Sequence, residues 1–236
     1  GGGEALLQGT GLAVQDNVVR DTQGGGIVCL PCTDSAIVAN TVQRARTTGI
    51  HLSGQRITAG ANMVRATIPR DNGDADGLRF FGNGHRIIGN TIRDISAAGY
   101  PDPPHPDCFQ TFDNNRPPTF DIVISGNLCQ NVDAQCLIAT GDDRGNSGKP
   151  AGVASIVFTG NTCSVNGAQA VNLRHWPDVD MRANRLAGPN LRRGILIVEG
   201  STGCTAIRNT TSGGAPTVEI DPSSRPGFRA EGNHPA

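Results

Sequence analysis

The densest chemical phrase in the sequence is Asp102-Pro103-Pro104-His105-Pro106-Asp107-Cys108-Phe109-Gln110. Three prolines hold one imidazole between two carboxylates on stiff backbone, which suits groups that must be preorganised. His105 has a reference pKa near neutrality and is the first candidate for a general base, with His51 as its rival. Tyr100 is the only tyrosine and lies in the same segment, where it could hand a proton to a leaving oxygen. Arg79 or Arg174 could neutralise an anionic group, with Gln110 and Asn172 assisting by hydrogen bonds. His175 and Trp176 follow Arg174; the indole is either a stacking platform or a loop anchor. Asp76 and Asp107 offer a second chemistry, a pair of carboxylates in which like charge raises one pKa. The alternative for each is a turn former that accepts backbone N–H groups. Asp74, Asp76, Asp107, Asp142 and Asp143 together could supply hard oxygen ligands, and Ca²⁺ is the candidate ion, although no loop carries the twelve-residue calcium pattern.

The elements that must position these groups are repeats. Asn17, Asn40, Asn62, Asn90, Asn127, Asn161, Asn184, Asn209 and Asn233 recur at intervals of 23, 22, 28, 37, 34, 23, 25 and 24 residues. Most are followed, after one intervening residue, by an apolar side chain. Between them sit short apolar-x-apolar phrases such as Ile27-Val28-Cys29, Ile50-His51-Leu52, Leu78-Arg79-Phe80, Leu137-Ile138-Ala139 and Val171-Asn172-Leu173. A period of two marks strands with one buried face. A unit of about 23 residues is too short for a propeller blade, and the leucine pattern of leucine-rich repeats is absent. The expected fold is all-β: a right-handed parallel β-helix of about eight coils, with the Asn column forming an internal ladder at a tight αL turn. The middle residues of the strands then stack outward as Val28, His51, Arg79, Gln110, Ile138, Asn172, Leu196 and Glu219. The long intervals place the loops at 71–77, 99–107 and 141–150 beside the polar centre of that stack.

These repeats resemble the right-handed parallel β-helix superfamily, whose members include pectate lyases, polygalacturonases, alginate lyases and uronan C5-epimerases. The resemblance covers nearly the whole chain. It implies a glycan groove beside a parallel sheet. The phrase around His105 is distantly similar to the Asp-Pro-His-Asp motif of the alginate C5-epimerases, with Pro104 and Pro106 interrupting it. The leading expectation is therefore a lyase or C5-epimerase that removes the C5 proton of a uronate. His105, Arg79, Tyr100 and Asp107 would be catalytic, and His51, Gln110, Asn172, Arg174, His175 and Trp176 would bind substrate. The resemblance also implies Ca²⁺ as a uronate-neutralising ion. A glycoside hydrolase using paired carboxylates, and a non-catalytic glycan-binding or adhesin β-helix, are the alternatives.

Composition sets the outer limits. The chain of 236 residues has 32 Gly, 15 Pro, 36% hydrophobic residues and a formal charge of -1. No apolar run is long enough for a membrane span. The near-zero charge argues against a strong nucleic-acid binder. The expected partner is an acidic polysaccharide, with an additional domain or oligomer left open. Residues 1–236 read as one β-helix domain that lacks an N-terminal cap, with 221–236 as a closing tail. Seven cysteines favour a secreted protein. Cys129 with Cys163, or Cys108 with Cys136, would bridge adjacent coils or simply fill a core ladder. Cys29 and Cys32 could form a local bridge, and Cys204 has no evident partner.

Overall fold

In a computed structural model, residues 3–70, 73–113, 118–141 and 149–235 are described. They form three parallel sheets of nine strands each. Sheet I runs from Ala5–Thr10 through Ile27–Thr33, Thr48–Gln55, Asp76–Asn83, Phe109–Phe112, Leu137–Thr140, Gln169–Arg174 and Arg193–Val198 to Val218–Ile220. Sheet II follows it in every turn, from Ala13–Gln15 to Arg229–Glu231, and sheet III closes the turn, from Val18–Arg20 to His234–Pro235. The chain is thus a β-solenoid of nine turns, one more than the strand phrases alone suggest. The additional turn is the first, whose sheet I strand starts at Ala5. Residues 221–235 supply a 3-10 turn at Pro222–Ser224 and the last strands of sheets II and III. No helix among the described residues is long and apolar enough to cross a membrane.

The Asn column is the internal ladder. Each Oδ1 from Asn40 to Asn233 accepts both the backbone N–H and the side-chain amide of the Asn one turn earlier, at 2.8–3.1 Å. The second amide hydrogen reaches a sheet II carbonyl of the preceding turn, as Asn127 does to Ile87 O. A buried polar column is tolerable because these bonds are made in every turn. The residue with positive φ is the one before each Asn: Asp16, Ala39, Ala61, Gly89, Gly126, Gly160, Ala183, Arg208 and Gly232. The Asn satisfies the corner that its predecessor bends.

Sheet I departs from strict alternation at its entry. Ala75 is buried in the core, Asp76 points out, and Gly77 and Leu78 both face inward. A Cβ at Gly77 would lie 2.4 Å from Ile92 and 2.9 Å from the Cys108 carbonyl, so this corner requires a very small residue. In the next two turns Cys108 and Cys136 occupy the equivalent place. Each bonds to the strand of sheet III in its own turn, giving Cys108–Cys129 and Cys136–Cys163 with Cα separations of 6.0 and 5.9 Å. This corrects the expected pairing between coils. Cys129 and Cys163 are indeed in register, but stacked side chains point the same way and stay about 4.8 Å apart. Residues facing each other across a corner converge on a sulfur–sulfur bond. Cys29 and Cys32 form the local bridge, and Cys204 is buried and free.

Candidate active site

The break at Gly77 carries two outward columns along sheet I. The first contains Thr48, Asp76, Asp107, Gln135 and Gln169. The second contains His51, Arg79, Gln110, Ile138 and Asn172, as the strand register shows. At the fourth and fifth turns the columns meet the loops before their strands and bring Asp74, Asp76, Arg79, His105, Asp107 and Gln110 together.

Asp76 and Asp107 are both fully buried. Asp76 Oδ1 accepts from Asp107 N at 2.9 Å, and its Oδ2 accepts from Arg79 Nε at 2.6 Å. Arg79 Nη2 lies 2.6 Å from the same oxygen and 3.6 Å from Asp74 Oδ2, so one guanidinium sits between two carboxylates. Asp107 Oδ1 accepts from Gln135 N at 2.7 Å, and its Oδ2 pairs with His105 Nδ1 at 3.1 Å. Asp74 also accepts the His105 backbone N–H at 3.2 Å and the Gln110 amide at 3.5 Å. The groups that face solvent are His105, with 52% of its side chain exposed, and Asp74, with 37%.

Burial pushes the Asp76 carboxyl up to about 8, against the pull of Arg79 and with the repulsion of Asp107 and Asp74 added. Burial likewise raises Asp107, although His105 opposes it. The hydrogen bond to Asp107 raises His105 to about 9, with desolvation working in the other direction. The cluster therefore holds a carboxyl group that keeps its proton near neutrality and an imidazole that keeps its charge. Arg79 passes over the Phe112 ring at 5.8 Å, and Phe112, Phe81 and His51 form a run of ring contacts at 4.9 and 5.3 Å.

The sequence-derived candidates divide accordingly. Arg79, His105, Asp107, Gln110, Asp74 and Asp76 come together. His51 stands one turn below Arg79 and joins through the aromatic run. Asn172 lies two turns above Gln110 on the same column. Arg174 belongs to the next outward column and pairs with Glu199, which also lies 3.5 Å from His175. Trp176 is a loop anchor, only 1% exposed, and its backbone N–H donates to Ser201 Oγ at 3.0 Å. His175 has φ 49°, so the chain turns there and sends the indole into the core, which removes the stacking platform. Among the described residues no hydrogen bond ties Tyr100 to the cluster. Asp142 and Asp143 lie outside the described residues. No group of three His, Cys, Asp or Glu among the described residues is arranged to hold a metal. The carboxylate oxygens of Asp76 and Asp107 are engaged by protein donors, an arrangement that does not fit a calcium ligand set. His105 as general base meets a physical obstacle as well: a base must be unprotonated at working pH, and Asp107 holds this imidazole in its charged form.

Two neighbours of the cluster went unrecognised in the sequence. Gln135 lies directly above Asp107 in the first column, and aligning that column one turn further would have found it. Phe112 lies under Arg79, and its outward position was legible, though not its ring contact with the guanidinium.

No family model and no curated protein matches the sequence. Among solved structures the fold is similar to the catalytic unit of a thermostable GH87 alpha-1,3-glucanase from Streptomyces thermodiastaticus strain HF3-3, with a TM-score of 0.72 and 16% identity. The alignment covers 97% of this chain and 45% of that one, so the chain spans less than half the length of the glucanase catalytic unit. At this identity the likeness is one of fold, and it agrees with the architecture above: the chain is a parallel β-helix.

Proposed function

We propose that this protein hydrolyses a polysaccharide laid along the outer face of sheet I, with the cluster around Asp76 as its active site. The observation that carries the reading is a buried carboxyl group raised to about 8 that shares one guanidinium with an exposed carboxylate. Glycosidic cleavage needs one carboxylic acid and one carboxylate. Asp76 is the acid and gives its proton to the glycosidic oxygen. Asp74 is the base and takes a proton from the attacking water. Arg79 must lift from Asp76 as substrate enters, and Phe112 gives its guanidinium a face to rest on. Asp107 and charged His105 add to the local field without touching the scissile bond. The similarity in fold to an alpha-1,3-glucanase supports hydrolysis over proton abstraction at a uronate C5. Three disulfides suit an oxidising compartment, and we assign the protein to secretion on that ground.

A binding-only reading has one specific observation in its favour: Asp76 and Asp107 are sealed from solvent with every carboxylate oxygen bonded. One experiment separates the two. Neutral α- and β-glucans and uronate polymers are incubated with the protein, and new reducing ends are followed alongside the absorbance of unsaturated uronate. Reducing ends without absorbance, lost in Asp74→Asn and Asp76→Asn, support hydrolysis. Retention of a glycan without new ends supports binding alone, and an unsaturated product restores the lyase.

A further inference from the structure

From the edge of the acidic cluster upward, the same face of sheet I carries three amide side chains that the hydrolytic chemistry does not use. Gln110, Gln135 and Asn172 are each more than nine-tenths buried. The acceptor oxygen of each has no hydrogen-bond partner among the described residues. Gln135 stands one turn above Asp107 in the first column; Gln110 and Asn172 flank Ile138 in the second. All three therefore sit on consecutive turns, on the side chains that alternate away from the core.

An unsatisfied buried acceptor is costly, and native proteins leave few of them. Three on adjacent turns of one face need an explanation. The interior column shows what this chain does with amides when their role is structural: every Asn from Asn40 to Asn209 has its oxygen occupied by two donors. The outer three depart from that pattern. Their free valence is uniform, since each lacks a donor. Turns repeat every ~4.8 Å, which is comparable to the length of one pyranose unit.

We infer that Gln110, Gln135 and Asn172 are positioning residues whose amides, closed to solvent in the free protein, turn outward to receive hydroxyl donors from successive units of a neutral glycan running along the solenoid axis. This deepens the hydrolase reading and rests on it for the direction of the chain, since the acidic cluster lies at one end of the amide strip. It also revises the expected substrate charge. Three desolvated acceptor oxygens are paired by sugar hydroxyls, and the strip offers no cation to a carboxylate, so it favours a neutral polymer over a uronate polymer.

The test uses Gln135→Leu and Asn172→Leu, singly and together, in the full chain. Binding is measured by calorimetry with neutral gluco-oligosaccharides and with oligogalacturonate, and thermal unfolding is recorded without ligand. The expected result is about tenfold weaker binding of the neutral oligomers per substitution, with the melting temperature unchanged or raised, because no bond is lost in the free protein. Wild-type affinity in the double variant overturns the inference. So does a lowered melting temperature with unaltered binding, which would mean the amides are structural. Preference of the unmodified protein for oligogalacturonate, or no binding of the neutral oligomers, also overturns it. The two readings can fail separately. Turnover that needs Asp76 but ignores the amide variants leaves the hydrolase and removes the strip. Weakened neutral binding without any turnover leaves the strip and removes the hydrolase.

Discussion

The backbone N–H of Asp107 donates to Asp76 Oδ1 at 2.9 Å, one turn away on the same column. Asp107 repeats the arrangement by accepting from Gln135 N at 2.7 Å. Each carboxylate thus has one oxygen committed to the scaffold and one facing a cation. Asp76→Asn keeps the first role and loses the second. Turnover on the responsive glycan should fall by at least about a hundredfold, with unfolding little changed. Asp76→Ala leaves the Asp107 N–H without its acceptor and should in addition cost about 1–3 kcal/mol of stability. Full turnover in the Asn variant would remove Asp76 from the mechanism.

The charge states of the cluster fix the alkaline side of the pH profile. An acid must carry its proton, and Asp76 keeps it up to about 8. Turnover should therefore decline as pH rises through that value. Arg79 pulls the Asp76 carboxyl down, so Arg79→Gln should move the decline to higher pH while lowering the rate. Stability follows the same sign. The folded pKa of Asp76 lies above its ordinary value of 3.8, so its contribution is fully present below 3.8 and is lost as pH rises through about 8. Rate profiles of the two proteins from neutral to alkaline pH check the shift, and coincident profiles would contradict it.

Asp107 and Gln135 each precede a half-cystine. Cys108–Cys129 and Cys136–Cys163 close the two turns that hold these residues. The bridges enclose chain separations of 21 and 27 residues, a range in which a disulfide typically contributes ~2–4 kcal/mol. Replacing Cys108 and Cys129 together by Ser should lower the melting temperature and reduce turnover through misplacement of Asp107. Replacing Cys29 and Cys32 should affect stability with little effect on turnover, since that bridge lies two turns below Asp76. Equal losses of turnover in both pairs would argue against a local link between the Cys108 bridge and the site.

How much of this was written in the sequence depends on whether a feature repeats. The Asn column was legible because a buried amide must be satisfied in each turn, so its spacing marks the turns themselves. The outward columns followed from the period of two, which put His51, Arg79, Gln110 and Asn172 on one face. The cysteine partners were not legible. Spacing shows that Cys129 and Cys163 stack, but not that Cys108 and Cys129 face each other across a corner. Trp176 stayed open between sugar platform and loop anchor, because the αL turn at His175 that decides it is a local backbone choice without a repeat to reveal it. The charge of His105 was not legible for a different reason. The motif presents a histidine flanked by acids, while the burial of Asp107, which sets the imidazole's charge, is a property of the packed corner.

His85 supplies a further pH response, on the acid side, from the corner between sheets I and II in the turn of Asp76. It is fully buried, its Nδ1 accepts from Ile57 N at 3.2 Å, and its Nε2 meets Phe81 O at 2.9 Å. This bonding requires a neutral ring that donates from Nε2. Burial lowers its pKa to about 4 from an ordinary value of 6.5. The unfolded chain takes up a proton at this residue below pH 6.5, whereas the folded one resists until about 4. Its contribution is present above 6.5 and shrinks as pH falls toward 4, by about 3 kcal/mol in full. His105 works in the opposite sense in part of that window, because it is already charged in the folded state and the unfolded chain gains its proton below 6.5. Wild type must therefore be compared with His85→Gln, which retains His105. Urea unfolding from pH 7 to pH 4 should show the wild type losing stability more steeply than the variant. Parallel curves would mean that His85 takes up its proton in the folded protein as readily as in the unfolded chain, and that the Ile57 N–H finds another acceptor when it does.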